Sequence, residues 1–252
     1  DVVAGIYSMK ELFASETVFF LDLGTNGEMI LSSCGKLYGT SAAAGPAFEG
    51  GNISCGTGSI PGAVCRTKLM PYGTFTETIK KQPPCGICGS GLISLLAELF
   101  RHHKMDETGL LEEPFFTGGF PVSSGISLTQ DDIRELQMAK AALAAGRSIL
   151  QKEAFISDQK LTYLILSGSF GSHALPEDAS LLGLLPDCHA KVLFPGNSSL
   201  HGAIRFLAET DSGKAKQTVS DIAQSIREVV LNQHPDFENT YYHWMNFSTK
   251  FL

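Results

Sequence analysis

The residues with most chemical potential lie near the amino terminus, in Leu21-Asp22-Leu23-Gly24-Thr25-Asn26-Gly27-Glu28. An apolar run carries a carboxylate, Asp22, to its end, and a Gly-Thr-Asn-Gly turn follows before a second apolar run, Met29-Ile30-Leu31. Asn-Gly between two such runs signals a hairpin, because both residues tolerate positive φ. A bare hairpin would need only that pair. Gly24 and Thr25, placed directly behind a carboxylate, add what an anion site uses: backbone N–H groups that can converge and a hydroxyl donor. Asp22 could then hold a hydrated Mg²⁺ beside phosphates. The competing reading is an ordinary hairpin with a surface Asp, since short Gly-rich motifs misfire often.

A second candidate lies far downstream. Residues 161–166 read as a buried strand that ends in Ser167-Gly168-Ser169-Phe170-Gly171. A Gly-rich turn at the carboxyl end of a buried strand is where open α/β sheets place ligands, although a plain strand-to-helix loop would look similar. Between the two stands the longest helix, expected over 130–154 and opened by the capping box Thr129-Gln130-Asp131-Asp132. Its apolar stripe, Ile133, Leu136, Leu143 and Leu150, is interrupted by Lys140 and Arg147. Those cations either snorkel at the edge of the stripe or face an anionic ligand. Cys85-x-x-Cys88 invites a zinc or redox reading, but a structural zinc site needs about four ligands and no second close Cys or His pair accompanies it. His102-His103 lies too far along the following helix to share an ion. Gly89-Ser90-Gly91 reads better as a close-packed or nucleotide-facing helix start.

The elements that must position these residues follow from hydrophobic period and turn chemistry. A short helix is expected within 6–14, then a three-stranded antiparallel start over 17–23, 28–33 and 37–41. Next comes a Gly-rich loop, 42–58, too apolar for a linker and too rich in glycine for a buried element. Long ordered loops of this kind are usually functional, the alternative being a compact loop packed on its own Phe48 and Ile53. Strands are expected over 61–69 and 74–79, a buried helix over 92–100, and irregular chain over 104–128. After the long helix come a strand, a helix over 176–184, a strand over 191–194 and a helix capped by Asn197 or Ser198. The last helix is expected from Ser212 through Val230, followed by an aromatic tail, 241–247, docked on the body. This order predicts a mixed α/β sheet, starting with antiparallel hairpin strands, with helices on both faces. The reading divides the chain into 1–210 and a carboxy-terminal helix and tail, 211–252.

Bulk composition narrows the function. The 252 residues are 43% hydrophobic and 18% charged, so the chain is globular. A net charge of −7 without a basic run argues against nucleic acid or an anionic membrane as main partner. No apolar run approaches a membrane span. No secretory signal is visible, and six scattered cysteines read as cytosolic thiols, so the expected location is cytoplasmic. The first residue is Asp and not Met.

Taken together, the hairpins and Gly turns resemble the ribonuclease-H-like half of the superfamily of acetate and sugar kinases, heat-shock chaperones and actin. Within it the sequence is similar to the carboxy-terminal part of the ATP-dependent reductive activators of corrinoid proteins. The likeness rests on 21–28, on Ala43-Ala44-Gly45-Pro46-Ala47-Phe48-Glu49-Gly50 and Asn52–Gly56, on Gly86–Ile93, on Gln137–Ala142, on 168–171, on Gly183–Pro186 and on Gly196-Asn197. The resemblance implies that Gly24, Thr25, Asn26 and Gly27 form one of two phosphate hairpins for ATP or ADP with Mg²⁺, with Asp22 on the phosphate side. It implies that Gly168, Ser169, Phe170 and Gly171 form the adenosine turn, and that Gln137 and Lys140 lie near ribose or adenine. The turn reads Ser-Gly-Ser-Phe-Gly where Ala-Gly-Gly-Phe-Gly is usual. Loop 42–58, peculiar to this branch, becomes a contact for the corrinoid partner or for cleft closure.

The implied function is the nucleotide half of an activator that reduces Co(II) corrinoid to Co(I) in a methyl-transfer protein. The first phosphate hairpin and the iron–sulfur cluster are expected on sequence outside this chain, so the chain by itself is expected to be inactive. The alternatives are a non-catalytic module for homodimerisation or partner docking and, more weakly, a small-molecule kinase with Glu28 or Glu49 as its carboxylate.

Overall fold

The computed structural model describes residues 1–168 and 175–247. In chain order the elements are α1 (Val2–Ser8), α2 (Lys10–Ser15), β1 (Val18–Leu23), β2 (Gly27–Ser33), β3 (Lys36–Ala42), β4 (Ala63–Met70), β5 (Gly73–Thr78), β6 (Gly86–Ile87) and α3 (Gly89–Arg101). There follow α4 (Phe115–Gly118), β7 (Phe120–Ser123), β8 (Ile126–Leu128), α5 (Gln130–Ala154), β9 (Tyr163–Gly168), α6 (Pro176–Leu181), β10 (Lys191–Gly196), α7 (Ser198–Ala208), α8 (Ser212–Ser225), β11 (Ile226–Glu228) and α9 (Phe237–Trp244).

The main sheet runs β10-β9-β1-β2-β3-β11. β1, β2 and β3 are antiparallel neighbours, whereas β9 and β10 run parallel to β1. Alternation along β1 sorts its side chains onto two faces. Phe19, Leu21 and Leu23 join Met29, Leu31, Leu164 and Leu166 in the larger core, filled from α5 by Leu136, Leu143 and Leu150. Val18 and Phe20 face the other way, with Ile30 and Ile165, under Ile6 of α1 and Phe13 of α2. On that side α1 packs against α7, closely enough that a Cβ on Gly202 would lie 2.0 Å from the Ala4 carbonyl oxygen. Burial on both faces explains why β1 and β9 read as unbroken apolar runs.

Three expectations need correction. The first helix begins at Val2 and breaks at Met9, whose φ of −128° is not helical, so two short helices stand in place of one. The span 104–128 is irregular only to Pro114: α4 follows, β7 and β8 form a hairpin, and Phe115 packs edge-on against Phe120 with ring centroids 4.9 Å apart. The last helix stops at Ser225, and the residues after it become an edge strand parallel to β3. There the Val229 N–H donates to the Gly39 carbonyl and the Thr40 hydroxyl donates to the Val229 carbonyl. The spacing of Ile222, Ile226 and Val229 fits a helix face, and Ile222 keeps it while Ile226 leaves it for the strand. The edge of β3 overrides the spacing, by offering Ile226 through Val229 a ladder.

Two other readings hold. Thr129 and Asp132 form the reciprocal capping box at the start of α5. The aromatic tail docks on α5, burying Trp244 and Phe247. Among the described residues, no helix is long and apolar enough to cross a membrane.

Candidate functional site: the glycine-ended strand edge

β1, β9 and β10 run parallel, and each ends in or just before a glycine: Gly24, Gly168 and Gly196. Their carboxyl ends therefore share one edge of the sheet, and Asp22 stands in it opposite Ser167 of β9 and Glu28 of β2. Gly168 has a φ of +78°, and a Cβ there would lie 2.4 Å from the Leu23 carbonyl oxygen and 2.5 Å from Asp22 Oδ1. Only glycine holds that φ while its backbone passes so close to the carboxylate. Asp22 is half-buried, and burial pushes its carboxyl above the usual range while the Ser167 hydroxyl pulls it back. The Ser167 hydroxyl oxygen also lies 2.9 Å from the Gly196 carbonyl oxygen and 2.8 Å from the Ser198 hydroxyl, beside the start of α7. Asn197 caps that helix by accepting from the Leu200 N–H.

The β1–β2 turn is a three-residue loop, Gly24-Thr25-Asn26, closed by the Gly24 N–H donating to the Asn26 carbonyl at 2.9 Å. Neither Asn26 nor Gly27 has a positive φ, so the Asn-Gly signal was right about the hairpin and wrong about the reason. Gly27 is needed for packing: a Cβ on it would lie 2.0 Å from Leu143 Cδ2 of α5. Gly24 is the opposite case, with only Glu49 Oε1 at 3.8 Å and the Asn26 carbonyl oxygen at 3.9 Å in reach of a Cβ. Its backbone is open to a ligand, and Thr25 and Asn26 are exposed beside it. A carboxylate, an open glycine and a hydroxyl at a sheet's carboxyl edge fit a Mg²⁺–phosphate group.

The structure leaves other candidates elsewhere. Gln137 Nε2 donates to the Met245 and Thr108 carbonyls, and Lys140 Nζ to the Trp244 and Asn246 carbonyls, so both hold the tail. A ligand reaching either would first displace 244–246. Burial, then the Arg147 charge, push the Lys140 ammonium down to about 7, while the two carbonyls and the Phe247 ring 5.0 Å away favour the charged form. Arg147 is also buried, 3.2 Å from Asp158. Neither cation snorkels, and neither is free for an anion as placed. Ser169, Phe170 and Gly171 lie outside the described residues. Gly89-Ser90-Gly91 is buried, and a Cβ on Gly89 would lie 1.9 Å from the Phe48 carbonyl oxygen, so that helix start serves packing. Cys88 is buried with its thiol on the Val64 carbonyl, whereas Cys85 is exposed.

Loop 42–58 buries Phe48 and Ile53, as the compact-loop reading expected, but its polar contacts carried no signal in the sequence. Its short 3-10 turn, Pro46–Glu49, buries Ala47 and Phe48. Asp132 pins its far side, accepting 2.6 Å bonds from the Ser54 N–H and hydroxyl. Glu49 Oε2 accepts from Thr25 Oγ1 at 3.0 Å, joining the loop to the candidate phosphate hairpin.

Fold and edge together define a ribonuclease-H-like domain of the actin-like ATPase class. Residues 16–251 match the family described as the C-terminal domain of RACo, the ASKHA domain, and the chain belongs to that family. The chain is 30% identical over 250 residues to the corrinoid activation enzyme RamQ of Eubacterium limosum, covering 88% of this chain and 41% of that protein. It is 29% identical over 256 residues to the [Co(II) methylated amine-specific corrinoid protein] reductase of Methanosarcina barkeri, covering 92% of this chain and 45% of that one. Among solved structures it is similar to a reductive activator for corrinoid, iron-sulfur protein, with a TM-score of 0.86 and 31% identity over 98% of this chain and 42% of the other. The chain thus spans less than half the length of each of these relatives.

Proposed function

We propose that this chain is the nucleotide-binding half of an ATP-dependent reductive activator that helps return a corrinoid protein from Co(II) to Co(I). The observation that carries the nucleotide reading is the shared edge where Asp22, the open Gly24 and the glycine-ended β9 and β10 converge. The relatives' names supply the corrinoid partner.

In this reading the ionised Asp22 holds a water of a nucleotide-bound Mg²⁺. The backbone N–H groups of the exposed Thr25 and Asn26 and the Thr25 hydroxyl donate to phosphate oxygens. Gly168 ends β9 beside Asp22, on the adenosine side of the site in this reading, and Gln137 and Lys140 join only once the tail carbonyls release them. Bound nucleotide supplies the energy of hydrolysis. The electron would come from an iron–sulfur cluster carried on sequence outside this chain, in a cytoplasmic setting that would keep the six thiols reduced.

Calorimetric titration with Mg²⁺–ADP tests the reading. Wild type should bind, and Asp22→Asn should weaken binding about tenfold or more, the loss of one charged hydrogen bond. Equal affinity in the two proteins would remove Asp22 from the site.

A further inference from the structure

Thr25 has one hydroxyl proton, and it goes to Glu49. The Glu49 carboxylate lies over the hairpin's open side, with Oε2 on the Thr25 hydroxyl at 3.0 Å and Oε1 3.8 Å from where a Gly24 Cβ would be. Among the described residues it has no ion-pair partner, and it is exposed. A carboxylate is acceptor-only, as is a phosphate oxygen. The two cannot share the one Thr25 proton, and two anions on one hairpin repel.

We propose that Glu49 is the hairpin's built-in anion, which a phosphate group displaces, and that this exchange reports the hairpin's occupancy to loop 42–58. The proposal rests on the nucleotide reading above. The loop is built to pass the signal over a short range. Glu49 ends the 3-10 turn Pro46–Glu49, and that turn is flanked by Gly45 at φ +72° and Gly50 at φ +83°. Its other anchors, buried Phe48 and the Ser54–Asp132 bonds, do not involve the hairpin. Loss of the Thr25 contact therefore loosens 45–51 at its exposed end, from Glu49 to Gly51, while buried Ala47 and Phe48 and the rest of the loop stay docked.

The test compares wild type, Glu49→Gln and Glu49→Ala by Mg²⁺–ADP titration and by amide hydrogen exchange. Glu49→Gln keeps the shape and removes the charge, so it should bind Mg²⁺–ADP about two- to five-fold more tightly, the size of one exposed charge interaction. That gain should shrink as salt rises, which a purely structural role would not produce. Glu49→Ala without nucleotide should raise exchange at 45–51, and Mg²⁺–ADP should raise it there in wild type. If wild type binds but Glu49→Gln gains nothing, or exchange at 45–51 ignores both nucleotide and Glu49→Ala, the inference fails and the nucleotide reading stands. If no protein in the series binds, both fail together.

Discussion

Asp22 is a carboxylate only half in water, and burial holds its carboxyl above the usual range. Holding a Mg²⁺ water requires the ionised form, so Mg²⁺–ADP binding should fall away on acidification sooner than for an exposed aspartate. Titration across pH checks this, and in Asp22→Asn the acid-side fall should disappear. Lys140 gives a stability test. Its ammonium is pushed from 10.5 down to about 7 in the folded chain. Between those values the unfolded chain binds the proton and the folded chain does not, so stability rises with pH across the window, at up to about 1.4 kcal/mol per pH unit. Below about pH 7 both states carry the proton and that contribution is gone. Denaturant midpoints from pH 6 to 10 should show the rise in wild type relative to Lys140→Met. Parallel curves would mean that Lys140 stays charged against its carbonyls. The sequence showed Lys140 interrupting an apolar stripe but not what met it, because its acceptors are main-chain carbonyls of the tail, about a hundred residues away.

At the scale of elements, most of the fold was legible where one element's own residues decide its state. The capping box starts α5, the Asn197 cap starts α7, and burial on both faces marks β1 and β9. Legibility failed where a neighbour decides. β11 exists because the edge of β3 was free, and Gly27 is glycine because Leu143 of α5 needs the space. The second case is testable. Gly27→Ala should cost about 1–3 kcal/mol by overpacking, and adding Leu143→Ala should cost less than the two single changes summed. Additive losses would place the strain elsewhere. Asp132 serves two elements, capping α5 through Thr129 and holding Ser54 of the loop. Asp132→Ala should therefore cost about 1–3 kcal/mol in chemical denaturation, and should raise amide exchange at Ser54.

At the scale of the whole molecule, a six-stranded sheet presents the carboxyl ends of three parallel strands along one edge. α5 and the tail close one face, and the helices around α1 close the other. At the edge between these layers Gly24, Thr25 and Asn26 stand open beside Asp22, which makes it the proposed ligand site. The central claim is that nucleotide phosphates bind at this edge. Backbone amide chemical shifts on addition of Mg²⁺–ADP test it most directly. The account predicts concentrated shifts at 22–27 and at Ser167 and Gly168, lost in Asp22→Asn. Saturating shifts confined to other parts of the chain, or none at millimolar Mg²⁺–ADP, would contradict it.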